Sequence, residues 1–88
     1  MNVIRTPNRN EKEIVQTKNA RLGKNITVTL VEYEPMFPRS TLCTITTKDG
    51  NTYHGVTMRG KGEADNKMIA EGNAFTRALN KAAGLPGF

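Results

Sequence analysis

Tryptophan is absent from this chain, and cysteine and histidine occur once each, as Cys43 and His54. A lone cysteine excludes an internal disulfide framework. One Cys and one His cannot supply the three or four protein ligands of a usual zinc site, so no metal and no cofactor is expected. Cys43 lies in the run STLCTIT with no histidine or basic neighbour. It reads as a small buried hydrophobe rather than a reactive thiol. Eighteen-residue apolar runs are also missing, which predicts no transmembrane helix and no membrane partner. The N-terminal stretch MNVIRTPNRNEKE lacks the apolar core of a secretory signal, so a cytoplasmic protein is expected. No paired carboxylates and no nucleophile with a base stand at catalytic spacing, and the chain is not expected to be an enzyme. Internal repeats and low-complexity segments are lacking as well.

Positive charge is what the chain has in excess. Its 88 residues carry 13 Lys and Arg against 8 Asp and Glu, a net charge of +5. Residues 1–25 hold six Lys or Arg against two Glu, and residues 59–88 hold five against three acids. The stretch between them has a slight excess of acid. A basic domain prefers polyanions, either nucleic acid or an acidic protein surface. At this length the chain makes one small domain with a small core, as a monomer or a homodimer.

Hydrophobic spacing predicts an α+β domain over residues 11–88 behind a polar, flexible arm at residues 1–10. Residues 10–22 read as a short N-terminal helix capped by Asn10 and stopped by Gly23. Residues 25–34 alternate as a strand, with Ile26, Val28 and Leu30 on one side and Thr27, Thr29 and Val31 on the other. Pro35 and Pro38 are expected to end that strand. A second strand follows at 40–47, then an Asp49-Gly50 hairpin, then a third strand at 51–60 with His54, Val56 and Met58 on one face. A long helix starts near Asp65 or Asn66 and ends near Gly84, ahead of Pro86. Met68, Gly72, Phe75, Leu79 and Ala82 or Ala83 form its apolar stripe. Gly72 within that stripe predicts a close approach of helix to sheet. The expected architecture is thus a three-stranded antiparallel meander packed by one long C-terminal helix, with a short helix in front.

This order resembles two families. A proline-containing connection, a strand, a glycine hairpin, a strand and a basic turn lead into the helix Ala70-Glu71-Gly72-Asn73-Ala74-Phe75-Thr76-Arg77-Ala78-Leu79. In these features residues 26–84 resemble a double-stranded-RNA-binding domain. That resemblance implies phosphate contacts from the helix start, where this chain has Lys67, and a contact loop at Pro35-Met36-Phe37-Pro38. The stretch Lys48-Asp49-Gly50, Tyr53-His54, Val56, a glycine-rich turn and Arg77-Ala78-Leu79 through Gly84 is similar to single-strand-annealing recombination proteins of the Rad fifty-two type. That likeness implies a groove for single-stranded DNA lined by Arg59 and Lys61.

The residues themselves point the same way. Arg59, Lys61 and Lys67 lie at a basic turn entering a helix, where the backbone N–H groups and the helix dipole favour anions. Arg77 and Lys81 lie four apart on a more exposed side of that helix. Met36, Phe37 and Arg39 form a proline-flanked loop suited to an exposed contact. The expected function is a small non-enzymatic nucleic-acid-binding module, RNA or DNA unresolved. The alternative is a protein-interaction module, such as a phage- or prophage-type regulator.

Overall fold

The computed structural model describes residues 3–36, 40–58 and 67–85, of which residues 67 and 68 are described in backbone only. The described elements are β1 (Ile4–Arg5), α1 (Arg9–Leu22), β2 (Val28–Met36), β3 (Ser40–Thr47), β4 (Thr52–Met58) and α2 (Lys67–Ala82). The four strands form one antiparallel sheet in the order β1-β2-β3-β4. The expected α+β class holds, with one strand more than the three predicted. The added strand pairs Ile4 with Glu32 and Arg5 with Val31. Two residues carry no alternation, so such a strand has no periodic signal in the sequence. Among the described residues no helix is long and apolar enough to cross a membrane.

Helix α1 is 14 residues long, and its cap lies two residues before the expected one. Asn8, not Asn10, is the N-cap. Its side chain accepts from the Glu11 N–H at 2.9 Å, and the Asn8 N–H donates to the Glu11 carboxylate at 2.8 Å. This reciprocal pair satisfies two donors that the first turn would otherwise leave unpaired. At the other end Gly23 takes a left-handed conformation, φ 64°, and stops the helix as expected. The Asn19 side-chain amide then bonds both backbone groups of Ile26, so the connection to β2 folds back onto the helix.

Strand β2 departs from simple alternation. Val28 and Val31 are both buried, whereas Leu30, expected beside Val28, faces solvent. A register shift between Val28 and Leu30 explains it, because a bulge inserts one residue and reverses the facing of the residues beyond it. The strand also runs through Pro35 to Met36, where the sequence predicted a stop; Pro38 lies outside the described residues. Among the described residues β1 pairs only with Val31 and Glu32, so no described backbone group asks for an N–H from Pro35 on that side. Strand β3 spans the expected 40–47 and alternates fully, with Thr41, Cys43, Ile45 and Thr47 buried.

Both helices cover one face of the sheet. Val15 of α1, Val28, Val31, Cys43 and Ile45 of the sheet, and Ala74, Phe75, Ala78 and Leu79 of α2 make the core. The expected caps of α2, Asp65 or Asn66, lie outside the described residues. Phe75, Leu79 and Ala83 of the predicted stripe are buried, while Gly72 and Ala82 are only half-buried. A second row, Ala70, Ala74 and Ala78, faces β4 instead. The expected close approach at Gly72 does not occur, since a Cβ there would meet nothing within 4 Å. The approach is at Gly55 of β4. A Cβ on Gly55 would lie 2.2 Å from the Ala74 carbonyl oxygen and 2.3 Å from the Ala78 nitrogen. Around that point the Thr57 hydroxyl donates to the Ala70 carbonyl at 3.0 Å and Arg77 Nη1 donates to the Val56 carbonyl at 2.6 Å. Contacts descend β4 as they ascend α2, so the helix runs antiparallel to the strand.

The two glycines predict opposite outcomes. Gly55→Ala drives a methyl into backbone atoms that cannot swing aside, and should cost about 3 kcal/mol or more. Gly72→Ala has room and removes a flexible residue from a helix interior, and should gain about 0.5–1 kcal/mol. Thermal melts followed by circular dichroism measure both. An unchanged melting temperature for Gly55→Ala would refute the close approach.

Candidate nucleic-acid interface

Lysine and arginine are absent from β2, β3 and β4, whereas α1 alone carries Arg9, Lys12, Lys18 and Arg21. The charge is therefore segregated by layer, and cations belong to the helical side and the turns. The only two acids of α1 are Glu11 and Glu13. Glu13 lies 3.6 Å from Arg9 on the open surface. Glu11 is 3% exposed and is consumed internally.

Glu11 is the hub of a polar cluster whose only trace in the sequence is its cap position. Arg5 of β1 donates through Nη1 to Oε1 at 2.7 Å and through Nη2 to Oε2 at 3.1 Å. The Tyr33 hydroxyl of β2 also donates to Oε2, and the Arg5 guanidinium sits 5.7 Å from the Tyr33 ring centre. Burial pushes the Glu11 carboxyl up. The hydrogen bonds from Arg5, Tyr33 and Asn8 outweigh it and hold the group below its ordinary value. The Tyr33 hydroxyl moves up, through burial and its bond to Glu11. Burial pushes the Cys43 thiol up to about 12, which leaves it protonated and unreactive at neutral pH. His54 faces solvent with Nδ1 2.9 Å from the Thr44 hydroxyl, the cross-strand pairing of an ordinary sheet residue.

The expected binding residues divide into three groups. Arg59, Lys61, Phe37 and Arg39 lie outside the described residues. Lys67 falls in the first turn of α2, and only its backbone is described. Met36 is exposed at the end of β2. Arg77 and Lys81 are placed. Arg77 is half-buried and reaches across the edge of the sheet to Val56, while Lys81 is exposed one turn further on. The two therefore share the β4 flank of α2.

The opposite flank holds residues not singled out in the sequence. A groove of about 330 Å³ separates α1 from α2, lined by Asn10, Glu13, Thr17, Lys18, Arg21 and Thr76 among others. Thr76 and Arg77 are adjacent in sequence, yet one lines this groove and the other reaches β4. The outer surface of α2 is thus flanked by cations on both sides, Lys18 and Arg21 on one and Arg77 and Lys81 on the other. The one acid in α2, Glu71, is half-buried and acts electrostatically on Arg5 and Tyr33 instead. Periodicity over residues 10–21 carried a usable signal, because positions 10, 14, 17, 18 and 21 share one helical face.

A larger recess of about 560 Å³ lies at the other end of the sheet, between Asn25, Ile26, Lys48, Asp49, Tyr53 and Ala82. It holds one base and one acid, and Asp49 is occupied by hydrogen bonds from Thr47 and Asn51 across the Gly50 turn. Its one base and one acid cancel, whereas the α1–α2 groove has two bases against Glu13.

The Glu11 cluster makes stability depend on acid. A carboxyl held low in the folded state stabilises the fold fully above its unfolded value, and the contribution is lost as pH falls through the folded one. Melting temperature should therefore fall steeply below about pH 4. Glu11→Gln should destabilise the fold at pH 7 by about 2–4 kcal/mol, and flatten the acid limb. An acid limb identical in the two proteins would remove Glu11 as its cause. Cys43 should react with a thiol reagent only after unfolding.

Comparisons with protein-family models, with curated proteins and with solved structures give no match to this chain.

Proposed function

We propose that the chain is a small, non-enzymatic nucleic-acid-binding module that grips phosphates along the outer surface of α2. One observation carries this reading: the α2 ridge is flanked by Lys18 and Arg21 on the α1 side and by Arg77 and Lys81 on the β4 side, and its single acid is half-buried beside the Arg5 cluster. Thr76 lines the groove with its hydroxyl donated to the Gly72 carbonyl at 2.9 Å. Arg59, Lys61 and Lys67 lie at the entry to the same helix in sequence and add to its positive charge. The likeness to double-stranded-RNA-binding and Rad fifty-two-type annealing domains implies the same ligand class, with contacts at Arg59, Lys61 and Lys67 rather than at these flanks.

Two features argue for contacts to the backbone of the nucleic acid rather than to bases. Tyr33 turns inward with its hydroxyl on Glu11, and Tyr53 is half-buried, so neither offers a free stacking platform. The cations are a mixture of point charges and guanidinium groups spread over two flanks, an arrangement that follows a line of phosphates and reads no sequence.

Binding should therefore be tolerant of sequence and strongly dependent on salt. Fluorescence anisotropy with single-stranded DNA, duplex DNA and duplex RNA at two salt concentrations tests it. The Lys18→Gln, Arg21→Gln, Lys81→Gln triple variant should lose about tenfold or more in affinity at low salt, and its salt slope should fall by about 2–3. Circular dichroism should show an unchanged fold. Absence of binding to all three probes at low salt ends the proposal.

A further inference from the structure

The second face of the sheet is uncovered by any described element, and its composition differs from that of the rest of the molecule. Cross-strand register places its side chains in rows. Met36, Ser40 and Met58 form the first, Glu34, Leu42 and Val56 the second, and Ile4, Glu32, Thr44 and His54 the third. Met58 is 72% exposed, Met36 43% and Val56 40%. With Leu42 they make a contiguous apolar patch over three strands. Three strands at about 4.8 Å spacing cover about 10 Å, the length of two turns of an α-helix. Two methionines at its rim give a surface that adapts to the partner's side chains.

Charge defines what can lie there. Among the described residues of this face the only charged side chains are Glu32 and Glu34, both on β2 beside the patch, in a protein whose net charge is +5. Among the described residues the patch thus carries acid along its β2 side, while Arg77 stands at its β4 edge with its guanidinium on the Val56 carbonyl.

We propose that this face docks an amphipathic helix of a partner protein, one that presents leucine-like residues at helical spacing with lysine or arginine along one flank. The apolar residues would lie over Leu42, Val56 and Met58, and the basic flank over Glu32 and Glu34. The ridge of α2 proposed to bind phosphates lies on the opposite layer and meets this face at the β4 edge, where Arg77 bonds the Val56 carbonyl; Lys18, Arg21 and Lys81 belong to the ridge alone.

Two synthetic peptides of about four helical turns test it, identical in their leucines and differing only in Lys or Glu on the flank. Calorimetry measures affinity, and methyl NMR of Met36, Met58, Leu42 and Val56 locates the site. The overall charge of the protein favours the glutamate peptide, so preference for the lysine peptide reports the local field, which acts within about 8–10 Å. The lysine peptide should bind at least tenfold more tightly and shift these methyls. Glu32→Gln with Glu34→Gln should remove at least fivefold of that preference. Val56→Thr with Met58→Gln should abolish binding, with melting unchanged because both side chains are exposed. Lys18→Gln with Arg21→Gln should have no effect. The proposal is overturned by equal or tighter binding of the glutamate peptide, by shifts confined to α1 and α2, or by no binding. Concentration-dependent dimerisation that buries the Met36 and Met58 methyls also overturns it, since a second copy would then be the occupant.

Discussion

The backbone of α2 passes over β4 with no room for a side chain between them. Gly55 makes that passage available, and the alanines at 70, 74 and 78 make it close. A helix seated this low brings the Thr57 hydroxyl to the Ala70 carbonyl and lets Arg77 span the sheet edge to Val56. It also leaves the large side chains, Phe75 and Leu79, to fill the space toward β3 and α1. The position of Arg77 and Lys81, and hence the cationic flank beside β4, depends on this contact.

A second joint lies on the far side of the core. Glu11 ties β1, the first turn of α1 and Tyr33 of β2 into one unit through Arg5, Tyr33 and the cap at Asn8. An isolated buried carboxylate would be costly, but one that accepts several donors, two of them from a guanidinium, is held in its charged form. The joint holds a two-residue strand that has too few backbone pairs to stay docked alone. It also withdraws one acid from the surface of α1, which raises the positive character of that helix toward solvent.

Segregation of charge by layer gives the molecule two unlike surfaces. The helical layer is cationic with a polar ridge. The open sheet face presents an apolar patch with two glutamates on β2, and its nearest described cation is Arg77 at the β4 edge. A single polyanion cannot satisfy both. The two proposals assign a phosphate backbone to one side and a basic amphipathic helix to the other, so the nucleic-acid and protein-interaction readings are not rivals for one surface.

Much of this was legible in the residues. The strong alternation of β3, the Asp49-Gly50 turn, the Gly23 and Gly84 stops and the Phe75-Leu79 stripe are local patterns, and each element formed where its pattern lay. What remained hidden depends on neighbours distant in the chain. The bulge in β2 reverses the facing of Leu30, and the short reach of β1 permits Pro35 within a strand. Of two glycines in the core region, only contact geometry decides that Gly55 and not Gly72 carries the close approach. Lys18 and Arg21 come to face Thr76 across a groove, and Glu11 comes to meet Arg5 and Tyr33. By itself the sequence determined five of the six elements, their order and the excess of positive charge, because these depend on local spacing and composition; the two-residue β1 has no such signal. Tertiary structure decided which face each element buries and which charges stand together, because both depend on register and helix seating, which involve residues far apart in the chain.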